Sequence, residues 1–216
     1  MDLVIFSPHW QRATKKLLIH QKCFNQNKFY KFGFATSLSV FAFFAISNPV
    51  MALPEVRQYL QLKDRLDRPI DGYCLDVVGS GRHIRLDMPL TAHNCKGPQV
   101  YADEVVQYLS DQSLYFPAYE GCVTVMGLND KALAGNALML KRCGEVQPFL
   151  NAKKFQKFDF NEQGQVQLVG SSLCISAGQD SHTTYSPDHR WRSLLMLPCK
   201  EVALTRSVWQ LVPGGY

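Results

Sequence analysis

Six of the seven cysteines in this chain fall in a spacing that leaves little freedom for the fold. Cys74 and Cys95 are 21 residues apart, Cys122 and Cys143 are again 21 apart, and Cys174 and Cys199 are 25 apart. The first member of each pair recurs after 48 and then 52 residues. A period near 50 seen three times marks three similar units, each too small to bury a core alone and stacked so that they share one. In an exported chain an even set of cysteines reads as a disulfide framework. The spacing suggests pairing within each unit, although the count alone admits other connectivities. Closing a loop of this size contributes roughly 3 kcal/mol by the loop-entropy argument. No C-x-x-C occurs, so these cysteines read as disulfides and not as zinc ligands.

The residues around the cysteines repeat as well. Gly72-Tyr73-Cys74-Leu75-Asp76-Val77, Glu120-Gly121-Cys122-Val123-Thr124-Val125 and Ser172-Leu173-Cys174-Ile175-Ser176-Ala177 each set a cysteine in an alternating, strand-like run. Ala137 to Cys143 and Ser193 to Cys199 are apolar strands that end on the second cysteine. Leu114-Tyr115-Phe116 and Val166-Gln167-Leu168 both begin eight residues before the next unit's cysteine. Helical periodicity is almost absent after residue 70, which predicts an all-β domain over 70–216. Residues 53–69 read as a linker or short helix. Val56, Tyr59, Leu60, Leu62 and Leu66 form a partial helical stripe that Pro69 stops. The polar stretch from Gly178 to Asp188 reads as an insertion in the third unit, solvated and without the geometry of a triad or a metal site.

At 46% hydrophobic and 19% charged, the 216 residues suit one or two compact domains, not a disordered or many-span chain. The net charge of +5 belongs wholly to residues 1–52, since residues 53–216 hold 17 basic and 17 acidic side chains. The folded part therefore lacks the basic face that nucleic acid requires. Within the leader, Phe32 to Ile46 is 15 residues without a charge, short for a membrane span and right for a signal-peptide core. Val50-Met51-Ala52 supplies the cleavage signal. Residues 1–52 are thus expected to be a signal peptide, which implies a secreted or periplasmic protein with no membrane span after cleavage.

The sequence resembles the ricin-type β-trefoils over roughly residues 70–213. Cys74-Leu75-Asp76-Val77 matches the start of that repeat. Gln156-Lys157-Phe158 and Ser207-Val208-Trp209 are degenerate forms of its closing Gln-x-Trp, and Glu104-Val105-Val106 keeps only its apolar character. The resemblance implies a single β-trefoil of three disulfide-closed repeats, with Val106, Phe158 and Trp209 at its centre. It also implies a lectin-like role, because a sugar needs polar groups for its hydroxyl rim and a ring for its C–H face. Carried over position by position, the first repeat offers Asp76, His93 and Asp103, followed by Glu104. The second offers Thr124, Lys141 and Gln156, and the third Ser176, Leu197 and Ser207, neither of which makes a sugar pocket.

A turn-capping role for Asp76 over Val78-Gly79-Ser80-Gly81 competes with sugar ligation. The expected partner is a glycan or glycoconjugate. The competing role is binding another protein subunit, as degenerate ricin-type accessory subunits of toxins do. No catalytic residues, cofactor or metal are expected, since nothing assembles an active site. The leader reading is checked by the intact mass of exported material, which should begin at Leu53; residues 1–52 retained in a membrane fraction would make the segment an anchor.

Overall fold

Short apolar runs separated by turns lay the chain out as strands in the computed structural model, which describes residues 57–97, 101–147 and 150–214. The leader, its cleavage site and Cys23 lie outside the described residues. The first repeat consists of β1 (Gln58–Leu62), β2 (Tyr73–Asp76), β3 (Thr91–Asn94) and β4 (Val105–Tyr108). The second consists of β5 (Leu114–Phe116), β6 (Gly121–Val125), β7 (Leu138–Arg142), a small hairpin of β8 (Val146–Gln147) and β9 (Leu150–Asn151), the single turn α1 (Ala152–Phe155), and β10 (Phe158–Phe160). The third consists of β11 (Val166–Leu168), β12 (Leu173–Ala177), β13 (His182–Thr183), β14 (Arg190–Pro198) and β15 (Trp209–Pro213). No helix of the described residues is long and apolar enough to cross a membrane.

The first and last strands of the repeats form a barrel. β1 pairs with β4 and β15, β4 with β5, and β10 with β11, all antiparallel. The Phe158 amide donates to the Gln112 carbonyl and the Trp209 amide to the Gly164 carbonyl, which ties β10 and β15 to the lead-ins of β5 and β11. The middle strands make one hairpin per repeat: β2 with β3, β6 with β7, and β12 with β14. Each hairpin brings its two cysteines together, and the bridges are Cys74–Cys95, Cys122–Cys143 and Cys174–Cys199. Val106, Phe158 and Trp209 are 0%, 0% and 2% exposed, packed in one cluster with Leu60, Leu114 and Val166. The Trp209 indole N–H donates to the Ile175 carbonyl at 2.9 Å, so the ring is buried without an orphaned donor.

Residues 57–69, the described part of the segment 53–69 expected to be a linker or short helix, differ from that expectation. Gln58–Leu62 is strand β1, in register with β15 from Gln58↔Pro213 to Leu62↔Trp209. Leu60 and Leu62 fit a period of two as well as they fit a helical stripe, and the long-range pairing with β15 decides between the two. Further on, Leu66 takes φ +52° and its amide donates to Asp64 Oδ1 at 2.8 Å, an Asx turn that no helix accommodates.

Non-reducing peptide mapping should recover the three within-repeat bridges alone. Replacing Cys122 and Cys143 together by Ala should lower the unfolding free energy by about 3 kcal/mol in denaturant titrations, in proportion to the loop they close. An inter-repeat bridge, or an unchanged midpoint, would contradict this.

Candidate binding site

Strand alternation decides what the first repeat presents. Register pairs Cys74 with His93 and Asp76 with Thr91, so these four side chains share one face of the β2–β3 hairpin. The Cys74–Cys95 bridge places the next residue, Lys96, beside that face, and Asp103 and Glu104 arrive from the lead-in to β4. The structure thus brings together all four residues expected of a first-repeat site, Asp76, His93, Asp103 and Glu104, and adds Lys96 at their centre.

Lys96 Nζ lies 3.0 Å from Asp76 Oδ2 and 4.0 Å from Glu104 Oε1, and it donates to Asp103 Oδ2. The Lys96 amide donates to Glu104 Oε2 at 3.1 Å. His93 Nδ1 is 3.6 Å from Asp76 Oδ2 and 3.1 Å from the Asn94 carbonyl oxygen. Asp76, Asp103 and Glu104 are 3%, 4% and 0% exposed. The Asp76 carboxylate therefore turns inward to Lys96 and not over the 78–81 turn. Lys96 carried a signal in the sequence that is plain only afterwards: three acids converging on one buried place require a cation, and the residue after Cys95 supplies it.

Burial governs the protonation of this cluster. It raises the Asp76 carboxyl well above the usual range, with Lys96 opposing and the neighbouring Glu104 and Asp103 adding to the rise. Glu104 is pushed up to about 7, again by burial against the opposing Lys96. For Lys96 burial favours the neutral amine, but the facing carboxylates outweigh it and raise its pKa. Burial and the Lys96 charge hold His93 down to about 4, so the imidazole is neutral at physiological pH.

The second repeat explains the Glu104 shift chemically. There Gln156 takes the same place. Its Oε1 accepts the Gly144 amide at 2.8 Å, while its Nε2 donates to Thr124 Oγ1 at 2.8 Å and to the Arg142 carbonyl at 3.1 Å. Glu104 repeats the acceptor half, but its Oε1 has no hydrogen to give unless it is protonated. Glu104 Oε1 and Asp76 Oδ1 are both buried with no hydrogen-bond partner among the described residues. In the third repeat Gln165 Nε2 donates to Ser207 Oγ at 2.8 Å and to the Cys199 carbonyl at 3.0 Å. The second and third places are thus closed by neutral internal bonds, and the first alone holds charge. Asp76, His93 and Glu104 also place ligand-type atoms within 4.8 Å of one another, but the Lys96 ammonium already meets the same two carboxylates.

Three disulfide-closed repeats round one barrel make the fold a β-trefoil, as the ricin-type resemblance implies. Among solved structures the chain is similar to the mdaA-1 domain, with 14% identity over 74% of this chain and 91% of that one at a TM-score of 0.51. It is also similar to the agglutinin from Abrus precatorius, with 17% identity over 75% of this chain and 51% of that one at a TM-score of 0.47. At 14% identity the likeness to the mdaA-1 domain bears on the fold alone, and the likeness to the agglutinin carries no argument. No protein-family model matches the chain, and no curated protein does.

A carboxyl whose pKa is raised by folding binds its proton more tightly in the folded state, so its contribution to stability is complete in acid and is lost as pH rises. Glu104 should make the domain lose stability as pH rises through about 7, and Asp76 acts in the same direction. Glu104→Gln supplies the missing N–H donors permanently. It should flatten part of that slope without unfolding the protein, as read from thermal melts taken between about pH 5 and about pH 8. A slope identical to that of the parent would contradict the assignment.

Proposed function

We propose that this is an exported glycan-binding module that works through the first repeat. The observation that carries the reading is the Lys96–Asp76–Asp103 cluster beside His93, which sets a charged hydrogen-bonding group next to a ring at the first-repeat hairpin. Lys96 and His93 keep 16% and 12% of their side chains in contact with solvent, whereas Asp76 keeps 4%. In this reading Lys96 donates to sugar hydroxyls, His93 lies against the sugar, and Asp76 and Asp103 act by fixing the ammonium. Charge-assisted bonds of this kind contribute about 1.5–3 kcal/mol each. The leader and three disulfides support a place outside the cytoplasm.

A second reading, a protein-binding subunit with no sugar site, is favoured by one observation: the polar places of the second and third repeats are filled by internal bonds. A lectin ordinarily gains avidity from several sites, and here one remains.

Glycan-array screening of the native domain separates the two. Asp76→Asn keeps the shape but loosens Lys96, so affinity for the best-bound glycan should fall by roughly tenfold or more. A blank array, with Asp76→Asn changing only the melting temperature, would remove the glycan reading and leave the protein-partner one.

A further inference from the structure

Resting on that glycan reading, we propose that Trp191, delivered by the third repeat's inserted hairpin, is the ring on which a bound pyranose stacks. β14 does two jobs along its nine residues. Leu194–Pro198 pairs with β12 inside its own repeat, whereas Trp191–Ser193 pairs with β3 of the first repeat. The registers His182↔Trp191, Trp191↔His93 and His93↔Cys74 make a single row across four strands. Directly opposed residues of antiparallel strands share a face, so Trp191 stands between His182 and His93 on the side that carries Asp76. The next row on that face is Ser193↔Thr91↔Asp76. The rings of His182 and Trp191 are 5.1 Å apart, and those of His93 and His189 are 5.8 Å apart.

The hairpin is fastened where it crosses the first repeat. Ser181 Oγ and Tyr73 OH are 3.0 Å apart, the Arg190 amide donates to Asn94 Oδ1 at 3.0 Å, and Arg192 Nη2 donates to Asp67 Oδ1 at 2.6 Å. Arg192 and Leu194 point inward and are buried, while Trp191 alternates outward and is half-buried between an exposed His182 and an exposed Ser193. Trp209 shows that this fold can bury an indole completely; Trp191 is instead left on the outer face. Gly178 passes close by, where a Cβ would come within 2.4 Å of Ser193 Oγ, so glycine is what lets the strand pass without crowding that hydroxyl.

A pyranose fits what this face offers. Its C–H face matches the indole, and its hydroxyl rim matches Ser193, Thr91 and the Lys96 ammonium. The positions that correspond to His93 in the other repeats are Lys141 and Leu197, so neither sets a ring at that place.

The test compares wild type, W191A and W191F against the glycan bound best on an array of neutral and acidic oligosaccharides. W191A should weaken binding by about tenfold or more while its melting curve stays near that of wild type, and W191F should restore part of the affinity. Wild-type affinity in W191A would overturn the stacking role and leave the glycan reading intact. A blank array for the folded wild-type domain would overturn both. If W191A does not fold, fluorescence of the wild type titrated with the same glycan decides. Trp191 emission should shift while buried Trp209 stays silent, and unchanged emission with bound glycan would overturn the proposal.

Discussion

Pairing of β1 with β15 is the interaction on which the remaining structure depends. The three disulfides are local: each closes a hairpin within its own repeat and none joins one repeat to another. What holds the repeats together is therefore backbone pairing and the shared core. β1 contributes most because it meets β15, β4 and β2. Without it, β15 and β4 would present open edges and Val106 and Trp209 would lose one wall of their enclosure. The same strand positions the buried acidic cluster, since it neighbours β2, which carries Asp76, and β4, which follows Asp103 and Glu104. Barrel closure and site geometry are one event.

The three repeats answer one packing problem with different chemistry. Beside each second cysteine a polar group must accept or donate in a place closed to water. Gln156 with Thr124, and Gln165 with Ser207, do so without net charge. The first repeat uses three carboxylates and one lysine, an arrangement whose desolvation cost its internal attraction offsets only in part. Raised carboxyl pKa values are the expression of that shortfall: a proton supplies what Gln156 supplies through its amide.

Much of the fold was legible in the cysteines. Their period set the number of repeats, the alternating runs set β2, β6 and β12, and Val106, Phe158 and Trp209 stand at the core as the resemblance implied. Strand β1 was hidden because Leu60 and Leu62 satisfy two periods, and only its distant partner β15 distinguishes them. The candidate site was legible as a set of acids and a histidine, but not as a salt-bridged cluster. Lys200 follows Cys199 as Lys96 follows Cys95, so the lysine alone does not mark the first repeat, and burial is a property of the assembled barrel. Trp191 was less accessible still. Its position beside His93 arises from pairing between residues nearly a hundred apart, across an insertion whose polar composition reads as a loop.

The asymmetry of the trefoil has a physical direction. Charge, the inserted hairpin and the surface row of rings all occur at the first-repeat hairpin, while the other two polar places are neutral and internally bonded. Stability gives no reason for that coincidence, because the Gln156–Thr124 solution closes the same place at lower electrostatic cost. A half-buried indole on the outer face adds nothing to the core either, since the inward side chains of β14 are Arg192, Leu194 and Met196. A fixed ammonium, an outward-facing indole and a rigid sheet that orders both before any ligand arrives are the features on which the glycan-binding proposal rests.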